Sequence, residues 1–325
     1  MSNDVLVIGE HRDGALKGIS KEAMTAARSV ANDLGGQVVS VLLGDDTAGM
    51  ADDLAGCGGA KMLRVHDAKL AQYTPEAYVG SLKQVIADVQ PKVVLVGHSY
   101  QAIDFFPRLA AAHDGALVPD VTGIAVESGK PVFIRKVING KLDARTVPAG
   151  DDMIFCSVQQ GAFPVQPADG PASIEDFSVD LTDVTTRNVV EVKAAEAGEV
   201  DLTAADIIVA GGRGVGDPDK FEVVFDLAEA LGGAVGASRP PCDSEWVEHE
   251  RQIGSSGQVV APKLYIALGI SGAIQHLVGM RGAGCVVAIN KDPNAAIFQE
   301  AAYGIVGDLH EVVPALIEAV NEAKN

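Results

Sequence analysis

Residues 264–292 constrain the fold of this chain more than any other stretch of the sequence. A short apolar run, Leu264–Leu268, is followed by a glycine turn, an amphipathic segment that ends at Met280, and a second apolar run over residues 285–289. This order of strand, turn, helix and strand predicts a βαβ unit of a parallel sheet, in which ligands bind at the turn. Ser271 is the expected N-cap of the helix.

The glycine turn also predicts the chemistry of the ligand. Glycines before a helix let backbone N–H groups face an anion. Gln275 and His276 follow in the first helical turn, on the side expected to face whatever the turn holds. A polar pair beside a turn suited to phosphate favours a cofactor with a phosphate end and a hydrogen-bonding ring.

The overall composition is that of a soluble α/β protein. The 325 residues are enough for two domains of ordinary size, and 47% of them are hydrophobic while 21% are charged. The 36 glycines and the low aromatic content of 5% suit many tight turns between parallel strands. A net charge of −19 argues against nucleic acid as a partner, because there is no basic surplus to neutralise phosphates.

Targeting and redox signals point to the cytoplasm. The N-terminus lacks a basic segment followed by an apolar core, so no signal peptide is expected, and no apolar run is long enough for insertion into a membrane. The four cysteines form no CxxC motif and are expected to be free thiols of a reducing compartment; they are Cys57, Cys156, Cys242 and Cys285.

Residues 1–194 are predicted to form an N-terminal domain with a parallel α/β sheet to which antiparallel strands are added. Apolar runs alternate with helical patterns up to Pro119, after which strand periodicity dominates. Asn139-Gly140 separates two of these later runs, and this dipeptide is a strong signal for a β-hairpin. The predicted strands are residues 5–8, 37–43, 62–65, 93–96, 121–126, 132–137, 142 onward and 154–158; the predicted helices are residues 20–34, 48–55, 75–89 and 105–112.

Residues 195–325 are predicted to form a second domain of the Rossmann-like or flavodoxin-like type. It begins with a strand over residues 206–210 and a glycine turn over residues 211–216, followed by a helix that starts at Asp217-Pro218 and stops at Gly232-Gly233. The glycine turn does not match GxGxxG, and the chain contains no Walker A motif. The sequence has no nucleophile elbow and no histidine spacing typical of a metal site, so a hydrolase is not expected.

Several motifs of the second domain together resemble one family. They are GISGAIQHL at residues 269–277, VVAINKDPNAAIFQEAAYGIVGDL at 286–309, Ser238-Arg239, QIGSSG at 252–257 and VAPKLY at 260–265. Their order and spacing closely resemble the alpha subunit of electron transfer flavoproteins, over nearly all of residues 200–325. Without this resemblance, each residue also has a purely structural interpretation. Arg213 could equally well be a solvated loop residue, Ser255-Ser256 could form a polar turn, and His276 could be a partly buried core residue.

The resemblance implies an FAD site in the second domain. Arg239 is expected against the flavin ring, where a fixed cation favours states with negative charge on the ring. Ser256 is expected near the flavin N5, and His276 is expected to donate to the flavin C2 carbonyl, whereas Ser255 replaces the usual glutamine. The expected FAD contacts are Arg213, Ser238, Arg239, Ile253, Gly254, Ser255, Ser256, Ser271, Gly272, Ala273, Ile274, Gln275, His276, Asn290, Asp308 and Leu309, with Asn290 and Asp308 against the adenosine half.

The same resemblance implies a carrier of electrons rather than an enzyme. The chain would form a heterodimer with a beta subunit, which would itself hold AMP or a second FAD. It would accept electrons from flavoprotein dehydrogenases, such as the acyl-CoA dehydrogenases of fatty acid oxidation, and pass them to a quinone oxidoreductase. The first domain would bind no cofactor and would serve as the docking platform for the beta subunit.

Two alternatives stay open at this point. An electron-bifurcating complex that uses NADH and two flavins would differ mainly in the beta subunit, which this sequence does not contain. A non-redox module that binds an adenine nucleotide is the alternative from a different class. Bound flavin would exclude the non-redox module. The number of flavins per heterodimer would distinguish the bifurcating complex from the carrier of single electrons.

Overall fold

The computed structural model describes residues 2–138, 140–150, 152–187, 189–191 and 202–324. The chain divides into two compact units, Met1–Val192 and Lys193–Asn325. The expected domain boundary between residues 194 and 195 lies outside the described residues. Each unit has its own sheet and its own hydrophobic cores.

The first unit is built on a mixed sheet. Its strands are β1 (Val5–Ile8), β2 (His11–Arg12), β3 (Ala15–Leu16), β4 (Val38–Gly44), β5 (Lys61–His66), β6 (Val93–Gly97), β7 (Ala116–Glu127), β8 (Lys130–Val137), β9 (Leu142–Thr146), β10 (Ile154–Val158) and β11 (Ser173–Phe177). Its described residues form a nine-stranded sheet in the order β11-β5-β4-β1-β6-β10-β7-β8-β9, and β2 and β3 pair separately.

The pairing pattern of this sheet confirms the predicted mixture of parallel and antiparallel strands. Pairs from β11 through to β7 are parallel, whereas β8 is antiparallel to both β7 and β9. Val137 lies opposite Leu142 in the β8–β9 hairpin, which the Asn-Gly signal predicted, although Asn139 itself is outside the described part. Strands β1, β4, β6 and β10 are buried along their whole length, as near-continuous apolar strands of a covered sheet must be.

Four helices flank the parallel part of this sheet among the residues described: α1 (Gly18–Leu34), α2 (Ala48–Ala55), α3 (Pro75–Val89) and α4 (Tyr100–Ala112). The sequence places their ends with local signals. The Thr74 hydroxyl accepts a hydrogen bond from the Ala77 N–H at the start of α3, and the Ser99 hydroxyl accepts one from the Ala102 N–H at the start of α4. Gly35 ends α1 in the left-handed conformation, with a φ of 68°.

The second unit is a parallel sheet with helices on its connections. Its strands are β12 (Ile207–Gly211), β13 (Ala234–Ala237), β14 (Leu264–Leu268), β15 (Cys285–Asn290) and β16 (Tyr303–Val306); its helices are α5 (Glu222–Leu231), α6 (Arg239–Asp243), α7 (Ile274–Met280) and α8 (Leu309–Lys324). The five strands follow the order β13-β12-β14-β15-β16, and every pair is parallel. The chain leaves β12 toward β13 on one side and returns to β14 on the other, so the topological switch point lies between β12 and β14.

Two predicted helix starts in this unit are wrong. The residues after Asp217-Pro218 first form a short 3₁₀ turn, Asp219–Phe221, and the α-helix begins only at Glu222. The Asp217 carboxylate accepts a hydrogen bond from the Lys220 N–H at 2.9 Å, which stabilises that tighter turn.

The second wrong start concerns Ser271, which is not the N-cap of α7. That position belongs to Ala273, and the helix begins at Ile274. Gly272 has a φ of 83°, so the chain cannot enter a right-handed helix directly after Ser271. The Ser271 carbonyl instead accepts a hydrogen bond from the Ile297 N–H at 3.2 Å, and this bond holds the loop away from helical geometry.

In the described part of the chain, no helix is both long enough and apolar enough to cross a lipid bilayer. The same residues contain no group of three or more histidine, cysteine or acidic side chains that could hold a metal ion.

Candidate ligand-binding site

The loops that follow β12 and β14 meet at the switch point of the second unit, backbone against backbone. The Gly214 N–H donates to the Gly269 carbonyl at 3.0 Å, and the Gly212 N–H donates to the Leu268 carbonyl at 2.8 Å. A Cβ on Gly212 would lie 2.8 Å from the Gly269 carbonyl carbon, and a Cβ on Gly269 would lie 2.7 Å from the Gly214 carbonyl carbon. No side chain fits between the two loops, so these glycines determine how closely the loops approach. The space beside the loops, at the carboxyl ends of β12 and β14, is called the crevice below.

A turn over residues 252–258 completes one side of this crevice. It is joined to the end of β13 through the bridge between Ala237 and Gln252 and a 2.9 Å hydrogen bond from the Ile253 N–H to the Ala237 carbonyl. It is joined to α7 by a 2.7 Å hydrogen bond from the Ser255 N–H to the Gln275 carbonyl. The turn therefore places two serine hydroxyls beside the start of α7.

The expected contact residues fall into an exposed set and a buried set. Those with exposed side chains at the carboxyl ends of the strands are Arg213, Arg239, Ser255, Ser256, Ser271, Ala273 and Gln275; those that are buried are Ser238, Ile253, Gly254, Gly272, His276 and Leu309; Ile274, Asn290 and Asp308 are intermediate. All of them lie at the edge of the sheet where the parallel strands end, or in the 252–258 turn. The exposed members offer two guanidinium groups, three hydroxyls and one amide to a ligand.

The His276 side chain is buried, whereas the side chain of its neighbour Gln275 belongs to the exposed set. Only 5% of its surface is exposed. Its Nε2 lies 2.9 Å from the Tyr265 hydroxyl, and its Nδ1 lies 3.0 Å from the Ile253 carbonyl oxygen. Burial lowers the pKa of His276 to about 4, against a smaller opposite effect of the bond to Ile253. The ring is therefore neutral at physiological pH, and both of its nitrogens have partners inside the unit.

Arg239 has an anionic neighbour one helical turn away. Its Nε donates to the Asp243 carboxylate at 3.0 Å, in an i,i+4 pair on α6. The Arg239 side chain is 67% exposed, so the pair is solvated and weak, and the guanidinium keeps other donors for a ligand. The positive charge expected at this position is thus present but partly offset.

Asn290 and Asp308 lie at the carboxyl ends of β15 and β16, where they form hydrogen bonds with the backbone of neighbouring loops. The Asn290 amide donates to the Ile270 carbonyl at 2.8 Å and its oxygen accepts from the Asp292 N–H at 3.0 Å. The Asp308 carboxylate accepts from the His310 N–H at 3.0 Å, in the manner of an N-cap for α8, and pairs with Lys291 at 3.0 Å. These bonds lower the pKa of Asp308, the backbone bond from His310 being the main cause. Asp308 therefore remains ionised.

Three residues at this site are absent from the list predicted from the sequence. Tyr265 is fully buried and contacts the His276 ring. The buried Gln252 amide donates to the Ser256 hydroxyl oxygen at 3.0 Å, which directs the serine O–H elsewhere. Asp243 pairs with Arg239. Only Asp243 carried a usable signal, because i,i+4 spacing of opposite charges on a helix is readable from the sequence.

Comparisons with known proteins identify the family. Residues 5–182 match the family model described as the electron transfer flavoprotein domain, and residues 201–281 match the one described as the electron transfer flavoprotein FAD-binding domain. An electron transfer flavoprotein subunit alpha from Bacillus subtilis is 44% identical over 98% of this chain and 97% of its own length. The chain belongs to the electron transfer flavoprotein alpha-subunit family.

Other relatives agree over their full lengths. Subunits of the same name from Thermoanaerobacterium thermosaccharolyticum and Mycobacterium leprae are 38% and 37% identical, and each alignment covers at least 98% of both chains. Members of this family are electron carriers rather than enzymes, which confirms the class of function expected from the sequence. Membership as an alpha subunit also implies a heterodimer with a beta subunit.

Proposed function

We propose that this chain binds FAD at the switch point of its second unit and carries electrons singly as part of a heterodimer. The observation that supports this proposal best is the meeting of two glycine loops between β12 and β14, beside the turn over residues 252–258. Ligands of open α/β sheets bind in such a crevice, at the carboxyl ends of the strands. The match of residues 201–281 to an FAD-binding domain supports a flavin as the ligand.

The side chains around the crevice suit the parts of FAD. Arg213 is exposed within a glycine turn, where a guanidinium can pair with a pyrophosphate. Ala273 and Gln275 are exposed at the start of α7 and can face a ligand, whereas Gly272 before them is buried. Asn290 and Asp308 end β15 and precede α8, where amide and carboxylate groups can bind ribose hydroxyls.

When bound, a flavin supplies the one-electron and two-electron redox chemistry that no amino-acid side chain here offers. The chain supplies the charges and hydrogen-bond donors around it. Arg239 favours negative charge on a neighbouring ring, and its pairing with Asp243 moderates that effect. Gln252 already donates to the Ser256 oxygen, so the Ser256 O–H is free to act as a donor to a ligand atom.

Family membership supports a proposal for the route of the electrons. We expect flavoprotein dehydrogenases, such as acyl-CoA dehydrogenases, as donors and a quinone oxidoreductase or a similar protein as the acceptor. The first unit would provide the docking platform for the beta subunit, which would hold AMP or a second FAD. The four cysteines are free, which suits the reducing cytoplasm proposed as the site of this exchange.

The experiment is to express the chain together with its beta subunit and to count the nucleotides released from each heterodimer. One FAD and one AMP are expected for a carrier of single electrons. A matched Arg213→Gln variant tests whether the flavin is held by this chain, because it should retain less FAD at the same AMP content. Equal FAD in both proteins would place the flavin elsewhere.

The other outcomes overturn the proposal in different ways. Two FAD per heterodimer would favour the electron-bifurcating type, in which NADH serves a second flavin. AMP without flavin would favour the non-redox nucleotide-binding module. A purified heterodimer with no flavin after addition of excess FAD would contradict the central claim.

A further inference from the structure

Tyr265 is the largest fully buried side chain of the second unit, and its hydroxyl has one partner within the described residues. It lies on β14 and is completely inaccessible to solvent. The hydroxyl oxygen is 2.9 Å from His276 Nε2, and the centroids of the two rings are 6.2 Å apart. Burial raises the pKa of Tyr265 far above its ordinary value, so this hydroxyl keeps its proton.

The geometry on the other side of the His276 ring decides where its proton lies. The Ile253 carbonyl oxygen, 3.0 Å from Nδ1, can only accept a hydrogen bond. Nδ1 must therefore carry a proton, since two lone pairs facing each other in a dry interior would be strongly unfavourable. In a neutral ring Nε2 then has only a lone pair, and the Tyr265 hydroxyl must be the donor to it.

We propose that Tyr265 is a positioning residue for His276, whose hydroxyl holds the imidazole as the neutral tautomer with its proton on Nδ1. The two hydrogen bonds fasten three separate segments to one ring: β14 through Tyr265, the 252–258 turn through Ile253, and α7 through His276 itself. The orientation of the turn that presents Ser255 and Ser256 thus depends on this buried pair.

The hydrogen bond from Tyr265 also affects the flavin site, and this effect rests on the proposed function. While Tyr265 donates to Nε2, that nitrogen has no proton to offer to a ligand carbonyl. Donation from His276 to a flavin carbonyl, as the family resemblance implies, would require the ring to gain a second proton at Nε2. Tyr265 favours the neutral ring and opposes that protonation, so it sets how readily His276 becomes a donor.

The test is nitrogen NMR of the heterodimer labelled with ¹⁵N-histidine, with His276 assigned by its absence in His276→Gln. In the wild type we expect a protonated Nδ1 and an unprotonated Nε2 whose resonance is shifted by an accepted hydrogen bond. In Tyr265→Phe the Nε2 resonance should move toward the value of an unbonded imidazole nitrogen, and His276 should protonate at a higher pH. Tyr303→Phe is the matched control, because Tyr303 is exposed on β16, and it should leave both resonances unchanged.

Two results would overturn the inference. One is a wild-type His276 with its proton on Nε2, which needs no variant and so stays decisive even if Tyr265→Phe fails to fold. The other is a folded Tyr265→Phe protein with unchanged His276 resonances. The spectra are recorded with and without FAD, so an absence of flavin binding would count against the proposed function and leave the tautomer assignment to be judged by itself.

Discussion

Replacing Gly272 by alanine tests whether the close packing of the α7 loop shapes the ligand site. Gly272 has a φ of 83°, and a Cβ there would lie 2.7 Å from both the Ala296 carbonyl carbon and the Ile297 Cα. Gly232 is a matched control in the same unit, because its φ is 68° and a Cβ there would meet nothing within 4 Å. Both substitutions force an L-residue into the left-handed region, but only Gly272→Ala also creates a clash with backbone.

The expected difference follows from these contacts. A left-handed alanine costs about 1 kcal/mol relative to glycine, and that is the whole expected loss for Gly232→Ala. Gly272→Ala must also move the loop by about 1 Å, which adds roughly 1–3 kcal/mol for overpacking. It weakens the bond between the Ile297 N–H and the Ser271 carbonyl as well, at a cost of about 1 kcal/mol. The two variants should therefore differ by about 2–4 kcal/mol.

Urea unfolding of the second unit measures this difference. The chain has a single tryptophan, Trp246, which lies in the second unit and packs edge-on against Phe221 with a centroid distance of 6.3 Å. Its fluorescence should report a much lower midpoint for Gly272→Ala than for Gly232→Ala. Bound FAD should be lost from Gly272→Ala alone. Equal midpoints and equal FAD content in the two variants would refute the reasoning.

Two further predictions concern charge. Burial raises the pKa of Glu22 to about 7, despite hydrogen bonds from the Gly161 and Phe163 N–H groups that lower it. The folded state thus binds a proton more readily than the unfolded state, so the free energy of unfolding should rise as pH falls from about 7 toward 4.5. The expected rise is about 1–2 kcal/mol, because Glu22 is partly exposed and solvent screening reduces the effect. Glu22→Gln should remove this contribution in urea titrations at several pH values; an identical pH profile would contradict it. Asp243→Asn should raise the flavin reduction potential and Arg239→Ala should lower it, as measured by redox titration of the heterodimer, and shifts of the same sign would refute the proposed role of this pair.

Most of the fold could be predicted from the sequence because its signals are local. Helices α2 and α3 and strands β10 and β14 lie at the predicted residues, since apolar runs, caps and glycine stops mark them within a few positions. The two wrong helix starts of the second unit also have local causes, which lie in the backbone conformation of a glycine and in an aspartate that caps a 3₁₀ turn. Neither conformation can be read from residue type alone.

The candidate site, like the fold, could be predicted only in part from the sequence. The glycine loops and the strand ends that carry Arg213, Arg239, Asn290 and Asp308 could be placed from the sequence, because parallel strands bring their carboxyl ends to one edge. The partners of these side chains could not be placed, apart from the i,i+4 contact between Arg239 and Asp243. The Ser256 hydroxyl, for example, accepts from an amide whose direction depends on the folded turn.

The sequence by itself therefore determined the α/β class, the family and the loops that form the crevice, because hydrophobic periodicity and glycine spacing act over short stretches of chain. Only the tertiary structure decided the environment of His276. Its two partners, Tyr265 and Ile253, lie 11 and 23 residues away along the chain and reach the ring only when β14, the 252–258 turn and α7 pack together. Burial and hydrogen bonding arise from that packing, and they set the charge and the tautomer of the ring.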